Sequence, residues 1–163
     1  MGGECGRRTM SLLKDLCNSN QKELSRKSIE TLNRIRSAAM KSILSMVHNA
    51  GSGHLGGCLS SLDLLIMLYL CGNIRADNQF YTVRDMIVVS HGHVSAALYT
   101  VLGLFGFIDL NAAVETYRKA GSIFEGHPQK DIPGVEWASG SLGQGLSVGC
   151  GFAFSAKLRK STN

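Results

Sequence analysis

Residues 86–95 read MIVVSHGHVS: a short run of apolar, β-favouring side chains that halts at Ser90-His91-Gly92-His93. A run this brief, bounded by turn residues, is too short for a helix and reads as a buried strand over Met86–Val89. Its abrupt end puts two histidines around a glycine, where strands of a parallel sheet deliver groups to a ligand. Helical patterns stand on both sides of it. The expected architecture is therefore α/β, with helices, strands and glycine loops interleaved around a parallel sheet.

Upstream, apolar residues recur at helical spacing through Ile29, Leu32, Ile35, Ala39, Ile43 and Met46, with Arg34, Arg36 and Lys41 on the other side. This predicts a helix over residues 25–47 that Gly51 stops. GSGHLGGCLS, residues 51–60, is too rich in glycine for a helix and is predicted as a loop. Ser60-Ser61-Leu62-Asp63 has the spacing of a capping box and opens an apolar helix through Leu70. A polar connection, GNIRADNQFYTVRD, leads into the strand. Downstream, Val94–Phe105 reads as a buried helix. Asp109 or Asn111 caps another that closes at Arg118-Lys119-Ala120-Gly121. After the loop GSIFEGHPQKDIPG come a brief extended VEWA, the glycine loop SGSLGQGLS, and a last helix over Leu146–Arg159. Gly149 and Gly151 in that helix read as sites of close packing.

With 163 residues, 44% hydrophobic and 18% charged, the chain is long enough for one ordinary core. No apolar run approaches the ~20 residues that span a bilayer, and the N-terminus lacks the apolar core of a secretory signal. A cytoplasmic location follows as the default expectation. The net charge of +5 resides in residues 1–41, which hold nine Lys/Arg against four Asp/Glu, while the remainder is balanced. That distribution predicts a flexible basic arm over residues 1–24, with Met10 as an alternative start, and argues against a nucleic-acid groove along the body. Five cysteines without a C-x-x-C pair fit neither a zinc finger nor a disulfide scaffold. Cys58, Cys71 and Cys150 read as buried free thiols.

The chemistry-bearing residues lie in four loops: Ser52-Gly53-His54, Ser90-His91-Gly92-His93, Gly126-His127-Pro128 and Gly140-Ser141-Leu142-Gly143-Gln144-Gly145. Glycine permits close backbone approach to a ligand, and imidazole exchanges protons near neutral pH. A lone loop histidine is more often a solvated or capping group, so the weight rests on the recurrence. His91-x-His93 also has a spacing used by metal-dependent hydrolases, with His54 or His127 as further ligands, although no carboxylates are visibly placed to join them. The glycine loop opens a helix whose free N–H groups would suit an anion. It has no lysine of a phosphate-cradling loop, and Ser141 is not set in a G-x-S-x-G elbow.

Taken in order, GSGHLGG with LSSLDLLIMLY, IVVSHGHVSAALYTVLGLFG, and GSIFEGHPQKDIPGVEWASGSLGQGLSVGCGFA resemble the N-terminal region of transketolases, from about Ser37 to Lys157. Leu55, giving SGHL in place of SGHP, makes the likeness greater to transketolases split into two subunits. The resemblance implies a partial thiamin-diphosphate-binding fold, the helix-rich first half of a parallel-sheet domain, over residues 25–163. It implies thiamin diphosphate and Mg²⁺ as cofactors. His93 is matched to a residue near the cofactor diphosphate, His54 and His127 to residues that bind the sugar and assist proton transfer, and Gly140, Ser141 and Leu142 to the loop along the thiamin rings. His91 stands at a position more often occupied by a small polar residue. The family's Gly-Asp-Gly metal motif and its activating glutamate have no counterpart in these residues.

The expected function is thus that of the N-terminal portion of a transketolase subunit, moving a two-carbon ketol unit between phosphorylated sugars. Its partner would be a C-terminal subunit or domain carrying the pyrimidine-binding site, in a homo-oligomeric assembly, and the chain alone is expected to be inactive. Two other classes stay open at this point: a non-catalytic remnant or partner-binding module, and a metal-dependent hydrolase built on His91 and His93.

Overall fold

A computed structural model describes residues 25–77 and 84–159; the basic arm expected over residues 1–24 lies outside them. The first helix, α1, spans Arg26–Ala50. Ser25 caps it, its hydroxyl accepting from the Ser28 N–H at 3.2 Å, and Gly51 ends it in the left-handed region at φ 62°. Ala39, Ile43 and Met46 form its buried stripe, at the spacing of one helix face.

Helix α2 spans Leu55–Cys71 and begins five residues before the expected capping box. Gly56 and Gly57, read as loop, are helical. The helical penalty of glycine, ~1 kcal/mol each relative to alanine, is offset by what the missing side chains permit. A Cβ on Gly57 would lie 3.3 Å from the Val94 side chain, so α2 comes close to the turn that carries His93. The capping-box residues are used otherwise: the Ser60 hydroxyl donates to the Gly57 carbonyl at 3.1 Å, and Asp63 accepts from Arg36 of α1 at 2.8 Å.

A single 3₁₀ turn, Gly92–Val94, leads into α3, Ser95–Leu104. Residues 95–102 are all buried, because α1, α2 and the short α4, Leu110–Thr116, pack around this helix. Asp109 caps α4, its carboxylate accepting from the Asn111 N–H at 2.9 Å and the Ala112 N–H at 3.4 Å. The segment after α4 folds back over α3. Tyr69 donates to the Gly134 carbonyl at 3.4 Å, and Glu136 makes a two-pronged ion pair with Arg84, both side chains only 11% exposed.

Helix α5, Gln144–Leu158, stands apart from the other four, with only Gly145 buried. Leu146, Phe154 and Leu158 are exposed. A Cβ on Gly149 or Gly151 would meet nothing within 4 Å, so these glycines serve no close packing among the described residues. A groove of about 730 Å³ runs between α2, residues 84–88 and α5, lined by Leu68, Met86 and Phe152 among others, and contains none of the histidines.

The expected parallel-sheet α/β fold is not what the chain adopts. Among the described residues the regular structure is entirely helical and there is no β-strand. Residues 86–89 make no backbone ladder with any described segment, and VEWA at 135–138 forms loop rather than strand. A strand is defined by its neighbour, and β-forming side chains without a segment alongside them cannot supply one. Of the thiols, Cys58 is buried and free as expected, while Cys150 is free but exposed and Cys71 is disulfide-bonded.

Candidate active site

Three of the loop histidines converge. His54 occupies the N-cap of α2, His93 sits in the 3₁₀ turn before α3, and His127 lies on the loop after α4. The rings of His54 and His93 stand edge to face with centroids 4.8 Å apart. Those of His93 and His127 do the same at 4.6 Å. His93 is the centre of the cluster.

What holds His127 there is polar chemistry on a buried helix. Ser95 and Tyr99 are four residues apart, hence on one face of α3. The Ser95 hydroxyl donates to the Gly126 carbonyl at 2.8 Å and receives a hydrogen bond from the Tyr117 hydroxyl at 3.1 Å. The Tyr99 hydroxyl lies 3.0 Å from the Glu125 carbonyl and 3.3 Å from that of His127, sharing its proton between them. Burial, with lesser help from Tyr117 and Glu125, pushes the Tyr99 phenol well above its ordinary range, which keeps it a donor. His127 is held below the usual imidazole value. Desolvation is the first cause, followed by the neighbouring His93, Arg118 and His54, with Glu125 opposing them.

His91 is outside the cluster. It is exposed, and its Nε2 lies 2.9 Å from the Ser61 hydroxyl of α2. The histidine pair therefore does not act as a pair. Among the described residues, no group of three or more His, Cys, Asp or Glu is arranged to hold a metal ion.

The glycine loop is fastened beside His93 by Ser90. The Gly143 N–H donates to the Ser90 carbonyl at 3.3 Å, and the Gly145 N–H to the Ser90 hydroxyl at 3.1 Å. These N–H groups, expected to await an anion, are already engaged. Both crossings require glycine: a Cβ on Gly145 would fall 2.6 Å from the Ser90 Cα, and one on Gly92 2.5 Å from the Ser139 carbonyl oxygen. Gly140, Ser141 and Leu142 are exposed, with Leu142 at 67%. The structure thus draws His54, His93 and His127 together and brings the glycine loop against the His93 turn through Ser139. Sequence reasoning gives no role to Ser90, Ser95, Tyr99, Arg118 or Ser139. Two of them carry a signal, since Ser95 and Tyr99 interrupt the otherwise apolar SAALYTVLGL at i, i+4 spacing.

Two polar atoms at this junction, His93 Nδ1 and the Ser139 hydroxyl, are buried without a hydrogen-bond partner. Native interiors pair such groups, so orphans beside a cluster of imidazoles indicate a place for a polar ligand. Clustered imidazole rings next to a glycine loop, with unpartnered buried polar atoms between them, make this junction the candidate site among the described residues.

Comparison with known proteins gives the family. Residues 28–163 match the transketolase, thiamine diphosphate binding domain, and the chain belongs to this family. It is 41% identical over 133 residues to one of the subunits of the apulose-4-phosphate transketolase of Phocaeicola vulgatus, covering 81% of this chain and 47% of that protein. To the transketolase of Kluyveromyces lactis it is 36% identical over 107 residues, covering 66% of this chain and 16% of the relative. To the transketolase of Homo sapiens it is 32% identical over 129 residues, covering 78% and 20%. The chain thus spans about half the length of the Phocaeicola vulgatus relative and a fifth or less of the other two. No helix among the described residues is long and apolar enough to cross a membrane.

Proposed function

We propose that this chain is the N-terminal part of a split transketolase, acting with a C-terminal subunit that carries the pyrimidine-binding site to move a two-carbon ketol unit between phosphorylated sugars. The observation that carries the reading is the convergence of His54, His93 and His127 at centroid spacings of 4.8 and 4.6 Å beside the glycine loop. The likeness to a relative named as one subunit of a transketolase supports the split arrangement. Thiamin diphosphate, when bound, supplies the chemistry that makes and breaks the carbon–carbon bond.

The chain's own residues do the rest. His93, whose Nδ1 lacks a protein partner, would hold the diphosphate by a hydrogen bond. His127, held neutral at physiological pH by its surroundings, accepts a proton from a sugar hydroxyl and returns it. His54, the exposed ring of the three, meets the sugar. Gly140, Ser141 and Leu142, exposed on a pinned loop, would line the thiamin rings. Mg²⁺, when bound with the diphosphate, would offset its charge, and no cluster of His, Cys, Asp or Glu among the described residues forms a set to hold it. The assembly is a homo-oligomer of paired subunits, free of nucleic acid, in the cytoplasm.

Calorimetry with thiamin diphosphate and Mg²⁺, on this chain mixed with a C-terminal transketolase subunit, tests the reading. The expected result is binding by the mixture that weakens at least tenfold in His93→Ala, and ketol transfer that neither component performs alone. Equal affinity in His93→Ala and the parent refutes the role of His93. Zinc retained at one per chain after dialysis replaces the reading with that of a metal-dependent hydrolase.

A further inference from the structure

Helix α4 gives way at Tyr117 to a residue of unusual conformation. Arg118 has φ 57° and is the one non-glycine residue with positive φ among those described. Long side chains seldom occupy that region, and they stay there only when surrounding contacts over-determine them. The contacts are on two sides. Its backbone N–H donates to the Phe124 carbonyl at 2.8 Å, closing the loop that leads to His127. Its Nη1 donates to the Ser52 hydroxyl at 3.0 Å, two residues before His54. Between these, the guanidinium lies against Gly126 so closely that a Cβ there would fall 2.5 Å from Nη2, 2.6 Å from Nε and 2.7 Å from Cζ.

This cation is not used as surface or core arginines are. It is half-buried, its Nε is buried without a hydrogen-bond partner, and no carboxylate among the described residues forms an ion pair with it. Besides the Ser52 hydroxyl, it lies over the face of Tyr117, 5.7 Å from Cζ. A guanidinium kept only for stability would be paired. Here its fork bridges the two loops that bear the outer histidines.

We propose that Arg118 is the positioning residue of the histidine cluster, tying the His54 loop through Ser52 and backing Gly126 so that His127 stands at a set distance from His93. The functional consequence rests on the reading of His54 and His127 as proton-handling groups; the geometric claim does not. The unpaired charge adds to the effect. It is one of the groups facing His127, after His93 and ahead of His54, that keep the imidazole neutral against the pull of Glu125.

The test is NMR of the full chain without cofactor, reading ring-to-ring contacts among the three imidazoles and the titration midpoint of His127. Arg118→Met is expected to lose the His93–His127 contact and to raise the His127 midpoint. Arg118→Lys, which keeps the charge and loses the fork, is expected to lose the contact and to raise the midpoint less than Arg118→Met does, because the contribution of His93 is lost while the cation stays. Gly126→Ala leaves Arg118 in place but displaces the guanidinium, and is expected to lose the contact as well. A lower melting temperature in Arg118→Met with contacts and midpoint as in the parent shows a structural role only and overturns the proposal. Where Arg118→Met does not fold, unchanged contacts in both Arg118→Lys and Gly126→Ala overturn it. Failure of the mixture with a C-terminal subunit to bind thiamin diphosphate would sink the functional reading and leave these outcomes untouched.

Discussion

Gly92→Ala places a single methyl where two loops cross, and the structure sets its consequence. Gly92 is buried and its φ is not in the left-handed region, so backbone strain contributes nothing and the effect is spatial. The new Cβ would lie 2.5 Å from both the carbonyl oxygen and the hydroxyl of Ser139, and 3.0 Å from its carbonyl carbon. Ordinary contact begins near 3.4 Å, so the chain at Ser139 must retreat by roughly 1 Å. The obstacle is main chain, which has no rotamer to escape into, and Ser90 holds the same loop from the other side at 3.1 and 3.3 Å. Overpacking of this kind destabilises by about 1–3 kcal/mol. At ~2–4 °C per kcal/mol for a domain of this size, the melting temperature should fall by roughly 2–12 °C. Trp137, the only tryptophan, sits two residues before Ser139 and is 40% exposed. Its emission therefore reports the loop directly, while circular dichroism follows the melt. A Gly92→Ala chain with the parent's melting temperature and Trp137 spectrum would refute the crossing.

Arg84→Met leaves the Glu136 carboxylate buried without its guanidinium, and loss of one partner of such a pair costs about 3–5 kcal/mol. Urea unfolding should show that loss, and the double variant Arg84→Met/Glu136→Leu should recover most of it. Gly151→Ala, where the methyl meets nothing within 4 Å, should raise stability by about 0.5–1 kcal/mol through helix propensity; a loss would restore the close-packing role expected from sequence. His127 binds its proton less readily folded than unfolded. Stability should therefore be unaffected above the ordinary value of 6.5 and decline as pH falls from there to the lowered folded value, since the unfolded chain takes up the proton first. His127→Asn should flatten that part of the pH–stability curve.

Local signals recover what local physics decides. The stop of α1, the buried α3 and the Asp109 cap are each written in a few adjacent residues and stand as expected. The start of α2 does not, because two glycines argue against a helix until Val94 is known to press against Gly57. The sheet fails for the converse reason: apolar β-formers at 86–89 state a preference, while a ladder needs a second segment that nothing in the stretch itself can report. Arg118 reads in sequence only as the cationic end of a helix, because its reach to Ser52 and Gly126 crosses residues that no local pattern connects.

The Ser-His-Gly-His stretch shows how a site assignment depends on the period assumed. Along a strand, side chains alternate, so residues two apart share a face, and His91 and His93 read as a ligand pair. In a 3₁₀ turn of about three residues per revolution, two steps leave side chains roughly 120° apart around the axis, so the pair no longer shares a face. The turn at Gly92–Val94 does this. His91 goes to Ser61, and His93 goes to His54 and His127. The same change that removes the strand removes the metal pair and creates the three-ring cluster. Gly92 joins the two outcomes, for without a side chain the turn can wind tightly under Ser139 and present His93 alone.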